Sequence, residues 1–281
     1  MNQTATQTPL VSVILLTIDR PQFIGAAIQS VVNQSYSAWE LIVLHDGPDP
    51  RIEPAVAEWS SRDSRVRYLH REHIGNIANG LNCAIRQSRG EFIAILDDDD
   101  AWVDPRKLER QVAALLSDGG LVAIGGGAIV VDSSGQEVMR YRRSINPDEC
   151  VRRALLANPL IHSTVLYRRD IAEQVGLYDE NLAGYQDWDL FLKLMRIGKV
   201  ANLEDFFATY RVWDGGGTSR HVLGNAWSAM RIVNRHGRYY RGYLWALAAS
   251  FAYLAFALLP RAARRRSYQS LSRLKKRVFS Q

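Results

Sequence analysis

The sequence predicts an α/β fold, an open and mostly parallel twisted sheet flanked by helices, with a helical, basic C-terminal appendage. Three observations predict it. Short apolar, β-branched runs recur through the N-terminal third, separated by segments with apolar residues at helical spacing, which is the pattern of βαβ units. Acidic residues, Asp46 and the run Asp97-Asp98-Asp99-Asp100, stand at the ends of two of those runs, where doubly wound sheets bind their ligands. Apolar residues make up 47% of the 281 positions, enough to bury a sizeable core.

Residues 11–17 (VSVILLT) form a continuous apolar run, expected as a strand buried on both faces. Pro21 opens a helix through Ile24, Ile28 and Val31, ending near Asn33. Residues 39–44 (WELIVL) give a second buried strand, broken by Asp46-Gly47-Pro48. Ile52, Val56 and Trp59 mark a second helix, and residues 66–69 a third strand. A helix through Ile77, Leu81 and Ile85 leads to Gly90 and a fourth strand at 92–96. Further on, 105–116 reads as an amphipathic helix and 121–131 as a strand region. Residues 132–160 read as irregular with one helix, 162–167 as a strand, 188–197 as a helix with Asp187 at its entrance, and 209–219 as a loop around three glycines. The expected organisation is a disordered N-terminus (1–9), a main domain (10–218, divided near 100) and a tail (219–281).

Charge is split unevenly. Residues 215–281 carry thirteen Arg and Lys and no Asp or Glu, whereas residues 1–214 carry 22 basic against 29 acidic residues. A uniformly basic chain would suit nucleic acid; a basic tail on an acidic body suits an anionic surface instead, and no nucleic-acid partner is expected. Cys83 and Cys150 make no disulfide framework or zinc spacing, which fits a reducing compartment. The polar start 1–9 lacks an apolar h-region, so no cleaved secretion signal is expected.

Four consecutive carboxylates at a strand end raise one another's pKa unless a cation or donors compensate. A hard divalent ion such as Mg²⁺ or Mn²⁺, which takes oxygen ligands and bridges to phosphates, is one compensation. A solvated acidic turn before the next helix is the other.

Three segments, in order, resemble family 2 glycosyltransferases. The stretch from Val11 to Asp46 contains VSVI, an Arg after the first strand, SVVNQSY and ELIV; Gly90 to Trp102 reads GEFIAILDDDDAW; Gly184 to Asp189 reads GYQDWD. The resemblance covers roughly residues 10–215 and implies a GT-A fold, nucleotide-sugar-dependent and inverting. It implies 10–100 as the nucleotide-binding half and 101–218 as the acceptor half. Position by position, it implies that Asp46 binds the nucleotide base, with Thr17 at the edge of that pocket. Asp97 and Asp99 match the DXD positions, with Asp99 the direct metal ligand, and Asp98 faces ribose or donor sugar. Asp187 matches the general base that takes the acceptor hydroxyl proton. Ile18, Asp19, His45, Leu81 and Gln186 stand where the family commonly has other residues. The implied cofactors are Mn²⁺ or Mg²⁺ and a nucleotide-sugar, UDP-sugar first. The implied activity is hexosyl transfer to a saccharide or lipid-linked acceptor in polysaccharide and cell-surface glycan biosynthesis.

Around these positions, His162 reads either as lining the acceptor pocket or as a satisfied strand-end histidine. Arg211, with the following glycines and Thr218, suits a lid over the diphosphate, as does His221; a plain surface loop is the alternative. Trp188 and Trp102 suit sugar stacking or packing, and Gly125-Gly126-Gly127 suits close packing near the sugar site.

Residues 243–259 are uncharged, flanked by Arg241 and Arg261. As a helix they would reach about 26 Å, short of a hydrocarbon core of about 30 Å. Spanning would place the positive tail opposite a cytosolic domain, against the positive-inside tendency. The expectation is therefore a helix lying on anionic lipid, the protein being cytoplasmic and peripheral to the membrane; a buried or oligomerising helix is the alternative. Two other functions were weighed. A nucleotidyltransferase would carry a glycine-rich basic loop after the first strand, which TIDRPQF does not supply. A non-catalytic membrane-bound scaffold with a degenerate transferase domain is opposed by Asp99 and Asp187.

Overall fold

The structure, a computed structural model, describes residues 8–212, 221–260 and Arg264. Most of the 1–9 segment, the glycines at 215–217 and nearly all of the basic run from Arg261 onward lie outside the described residues.

The N-terminal half is built as the periodicity requires. Strands β1 (Val11–Thr17), β2 (Trp39–Asp46), β3 (Val66–Arg71) and β4 (Phe92–Asp97) alternate with helices α1 (Pro21–Val32), α2 (Ile52–Arg62) and α3 (Ile77–Arg86). They pair in parallel in the order β3-β2-β1-β4. Alternate side chains of one strand serve opposite layers. Val11, Val13 and Leu15 pack with Ile24, Ile28, Ile52 and Val56 of α1 and α2, whereas Ile14 packs with Leu81 and Ile85 of α3. This double cover is why the runs are apolar on both faces, with Ser12 and Glu40 buried as partners of each other.

Beyond β4 the sheet becomes mixed. Short β5 (Ala101–Trp102) is followed by α4 (Lys107–Ser117), β6 (Leu121–Val131), β7 (Glu137–Tyr141), α5 (Pro147–Arg153), β8 (Leu166–Arg168), α6 (Arg169–Gln174), α7 (Gln186–Leu194) and β9 (Lys199–Arg211). The order continues β4-β8-β6-β9-β5, with β7 on β6; β8 runs antiparallel to β4 and β6, and β6 runs parallel to β9. Gly125, Gly126 and Gly127 lie on β6, where an added Cβ would meet Asn202, Phe207 and Phe206 of β9. Their lack of side chain is what lets β9 pack there.

Three local readings change. Residues 162–164 form a 3₁₀ turn, with only Leu166–Arg168 as strand: the hydroxyls of Ser163 and Thr164 bond to strand-end and loop groups instead of leaving the backbone free to pair. The segment expected as loop from 209 is strand through Arg211, because β5 and β6 pair with it on both sides. Within 132–160 there is a strand, β7, in addition to the helix.

Two further helices close the described chain, α8 (Val222–His236) and α9 (Tyr243–Leu258). Ala229, Ile232 and Val233 of α8 are buried with Trp188 and Leu192 of α7, and Ala246 of α9 joins the same cluster. A buried ion-pair cluster pins α8 to α7: Asp189, fully inaccessible, lies 2.9 Å from His236 Nε2, 2.9 Å from Arg235 Nη1 and 3.2 Å from Lys193 Nζ. No helix among the described residues is long and apolar enough to cross a membrane.

Candidate active site

The parallel strands end on one edge of the sheet, and the acidic run extends from β4 at that edge. Thr17, the last residue of β1, donates its hydroxyl to Asp98 Oδ2 at 2.8 Å. Arg20, in the turn after β1, reaches Asp98 Oδ1 at 2.7 Å and Asp99 Oδ2 at 2.9 Å. Asp97 Oδ2 accepts from Ser163 Oγ at 3.1 Å, and Asp97 Oδ1 lies 3.1 Å from His162 Nδ1. Asp100 accepts from Ser163 Oγ at 2.5 Å and from the Arg211 amide at 2.9 Å. Arg20 is shared by Asp98 and Asp99, and the Ser163 hydroxyl lies between Asp97 and Asp100, so partners bridging pairs of carboxylates let four of them coexist at one strand end.

Their protonation differs accordingly. Desolvation at the strand end acts to raise Asp97, but the charge and hydrogen bond of His162, with Ser163 and Arg20, hold it below the usual carboxylate range. Burial lifts Asp98 to about 7, against Arg20 and with Asp99 adding to the rise. Burial and the Asp97 charge place Asp100 well above the ordinary range. Burial disfavours the charged form of His162, yet the charge and hydrogen bond of Asp97 outweigh it, helped by Asp187 and Asp100, and its pKa is raised.

That last balance locates the second acid. Asp187 sits in the first turn of α7, and its Oδ2 accepts from Asn158 Nδ2 at 2.6 Å. Asp187 lies near enough for its charge to join those of Asp97 and Asp100 in raising the His162 pKa. The residue before α7, Tyr185, has φ +58°, a left-handed conformation that costs a non-glycine residue about 1–3 kcal/mol. Its ring meets Trp188 edge-on, and its hydroxyl reaches Tyr253 of α9 at 3.4 Å.

Asp46 ends β2 in a separate, well-braced pocket. Its carboxylate is buried and accepts from Arg71 Nε at 2.8 Å and from the amides of Ile74 and Gly75 at 3.1 and 3.3 Å. Gly75 has φ +69°, which only glycine adopts readily. A polar chain leads from this pocket to the acidic run. Arg71 donates to Asn79 Oδ1, Asn79 and Asn82 donate to the two oxygens of Glu180, and Asn82 bonds both ways with the Tyr178 backbone. The Tyr178 hydroxyl lies 3.1 Å from His162 Nε2, whose other nitrogen faces Asp97.

The structure therefore brings together Thr17, Asp97, Asp98, Asp99, His162 and, through its backbone, Arg211. Arg211 also places its guanidinium near the Asp99 and Asp132 carbonyls and over the Phe23 ring. Trp188 is turned into the core with its indole N–H on the Ala154 carbonyl at 2.7 Å, and Trp102 is buried with its N–H on the Ser163 carbonyl at 2.8 Å. Both are packed rather than presented to a ligand. His221 is exposed at the N-cap of α8. Sequence reasoning passed over Arg20 as an individual site residue, and over Ser163, Asp100 and Asn158. The signal for Ser163 was its place beside His162 in IHSTV; Asn158 carried none.

The donor set suits a hard cation: it is carboxylate oxygen, with Asp97 half-exposed and Asp99 at the same edge. Among the described residues no group of three or more His, Cys, Asp or Glu is arranged to hold a metal ion. These side chains fit a cation that completes its shell with phosphate oxygens, not one caged by protein alone.

Comparisons with known proteins agree with this geometry. The sequence profile of Glycosyl transferase family 2 matches residues 12–176. An uncharacterised glycosyltransferase of Rickettsia felis is 31% identical over 198 residues, covering 68% of this chain and 32% of that protein. The UDP-Glc:alpha-D-GlcNAc-diphosphoundecaprenol beta-1,3-glucosyltransferase WfgD of Escherichia coli is 38% identical over 109 residues, 39% of this chain and 42% of that one. The chain thus spans less than half the length of these two relatives. Among solved structures, the mannosyltransferase PcManGT of Pyrobaculum calidifontis, in complex with GDP-Man and Mn²⁺, superposes with a TM-score of 0.65 at 20% identity, covering 95% of this chain and 81% of that one. This likeness is one of fold, the GT-A arrangement of a curled mixed sheet flanked by helices. Matched by the profile over more than half its length, and carrying the acidic strand end that the fold places at its ligand edge, the chain belongs to glycosyl transferase family 2.

Proposed function

We propose that the protein transfers a hexose from a nucleotide-sugar, UDP-sugar first, to a saccharide or lipid-linked acceptor with inversion at the anomeric carbon. The setting is polysaccharide or cell-surface glycan assembly, at the cytoplasmic face of a membrane. The observation that carries this reading is the acidic run at the ligand edge of the sheet, with Asp97 on His162, together with Asp187, held by Asn158, in the first turn of α7. It provides a diphosphate end and a base end for one displacement.

In that displacement the acceptor oxygen bonds to the anomeric carbon as the bond from that carbon to the diphosphate breaks. The acceptor proton passes to the Asp187 carboxylate, and the electron pair leaves on the diphosphate. Asn158 holds the Asp187 carboxylate at 2.6 Å and so fixes its aim. Asp46, braced by Arg71 and two amides, orients the base, while Thr17, expected at the edge of that pocket, holds Asp98 in the acidic run instead. Asp97 and Asp99 would hold a Mn²⁺ or Mg²⁺ ion shared with the donor, whose chemistry is to offset the charge of the leaving diphosphate. Asp98, held by Thr17 and Arg20 between the two metal positions, would face ribose or the donor sugar. Arg211 approaches the same edge; His221 lies exposed at the start of α8, and the segment 213–220 between them lies outside the described residues.

Support for the donor class comes from relatives named for UDP-Glc and GDP-Man. The deciding experiment measures nucleotide release from UDP-, GDP- and dTDP-sugars with Mn²⁺ or Mg²⁺ for wild type, Asp99→Ala and Asp187→Asn. Metal-dependent release from one donor is expected, lost in Asp99→Ala. Asp187→Asn is expected to retain donor binding while transfer to an acceptor falls by about 10²-fold or more. Folded protein that neither binds nor turns over any donor would refute the proposal.

A further inference from the structure

Helix α9 has two faces of one chemical kind. Its sequence, YLWALAASFAYLAFAL, carries no charge over sixteen residues. Ala246, Ser250 and Ala257 are buried on one side, and the half-buried Leu247 and Tyr253 pack on the cluster that holds Trp188, Leu192 and Ile232. The opposite side comprises Leu244, Trp245, Ala248, Ala249, Phe251, Ala252, Ala255 and Leu258, all exposed and all apolar. The large ones are open to an unusual degree: Leu244 76%, Trp245 78%, Phe251 54% and Leu258 67%. A surface helix of a water-soluble domain places polar residues on that side. An unbroken apolar face more than two turns long marks an interaction surface.

The charges around it choose the occupant. Arg238 and Arg241 precede the helix, eight Arg and Lys follow it from position 261 to 277, and no acidic residue occurs after Asp214. A second copy of this face would bring the same positive borders together. A protein groove would need matching acids, whereas anionic phospholipid supplies both acyl chains for the apolar side and negative headgroups for its borders. No described helix is long and apolar enough to span, so the fit is to a helix lying in the headgroup plane.

We propose that the Leu244–Trp245–Phe251–Leu258 face of α9 is the surface by which the protein docks on an anionic bilayer, lying parallel to it and not crossing it. Tyr253, on the protein-facing side of the same helix, touches Tyr185, two residues before Asp187. Docking on this face therefore sets the bilayer one helix away from the element that leads into the base. The consequence for a lipid-linked acceptor rests on the functional reading above; the docking surface itself does not.

The test is sedimentation of the full chain with vesicles of phosphatidylcholine alone or with one-third phosphatidylglycerol, in the absence of donor. It compares wild type, Trp245→Glu/Phe251→Glu and Arg238→Ala/Arg241→Ala. Wild type is expected to bind the anionic vesicles, more weakly as salt rises. The double glutamate variant is expected to bind at least about tenfold more weakly, while its circular dichroism and soluble-donor hydrolysis stay at wild-type levels. Quenching of Trp245 by brominated lipid, assigned against Trp245→Phe, is expected to place the ring at headgroup depth. Equal binding to neutral and anionic vesicles would overturn the proposal, as would glutamate variants that bind like wild type. A lipid-indifferent dimer dissolved by the glutamates would overturn it too, by making the face a copy-to-copy contact. Because donor hydrolysis is read separately, loss of vesicle binding and loss of transferase activity are distinguishable failures.

Discussion

Replacing Asp189 by Asn would test whether α8 is a working part of the catalytic domain. Asp189 is wholly inaccessible and faces the cations Arg235 at 2.9 Å and Lys193 at 3.2 Å, with the His236 ring also at 2.9 Å. Burial would raise its pKa, but the hydrogen bond from His236 and the charges of Lys193 and Arg235 win, bringing it from the usual 3.8 to about 2. At about 1.4 kcal/mol per pH unit, that difference is worth about 2.5 kcal/mol. The sign follows from a depressed carboxylate: the stabilisation is complete above pH 3.8 and is lost as pH falls through about 2. Asn removes the charge but leaves the cations, and breaking such a buried pair costs about 3–5 kcal/mol. Arg235 keeps a second partner, Asp179 at 2.7 Å, so the lower end, about 3 kcal/mol, is expected. Urea unfolding followed by tryptophan fluorescence measures it at pH 7. A loss below about 1 kcal/mol would refute the argument. Transfer should fall as well, because α7 carries Asp187 two residues earlier.

Other perturbations probe the packing behind the site. Lys107 is fully buried, its Nζ on Gln111 at 2.7 Å and 4.0 Å from the Trp102 ring centroid, and burial drives its pKa well below 10.5. The unfolded chain holds that proton more readily, so wild type should gain stability over Lys107→Met as pH rises from 7 towards 10, by at most about 1.4 kcal/mol per pH unit; a flat difference in urea melts would count against a neutral lysine. In Gly126→Ala the new Cβ runs into the buried Phe207 ring, an overpacking worth about 1–3 kcal/mol, to be seen as a fall of several degrees in Tm; an unchanged Tm would show that β9 can yield. His162→Phe removes the ring that joins Asp97 to Tyr178. Metal activation of donor hydrolysis should then require about 10- to 100-fold more Mn²⁺, and an unchanged titration would take His162 out of the site.

The parallel half was legible because double burial writes itself into sequence: VSVILLT and WELIVLHD have no polar face to confuse the reading. Strand β7 escaped because Glu137–Tyr141 is almost wholly exposed and has no apolar alternation to detect. The 3₁₀ turn at His162–Thr164 was read as strand because IHSTVLY is rich in β-branched residues, whose propensity yields to tertiary hydrogen bonds. At the site, the acidic residues could be picked out as motifs, since they lie in contiguous runs. Their partners could not: Arg20 reaches Asp98 across 78 positions and Ser163 reaches Asp100 across 63. Such pairings are made by crossover connections, and no local spacing encodes them. Trp188 was ambiguous for a related reason, because an indole beside an acidic motif looks the same whether it faces a sugar or, as here, a carbonyl in the core.

The chain of amides and carboxylates from Asp46 to Asp97 has a consequence for how such enzymes can be recombined. Glu180 lies after the sheet has become mixed, yet its two oxygens answer Asn79 and Asn82, and its carbonyl accepts from Asn76. The part of the sheet before residue 100 is consequently not an exchangeable cassette. A chimera that imports residues before 100 from a relative inherits asparagines, or their replacements, that must match position 180 in the recipient. Grafting those residues while resetting position 180 to suit should restore the fold where grafting alone leaves Glu180 facing a partner it cannot bond.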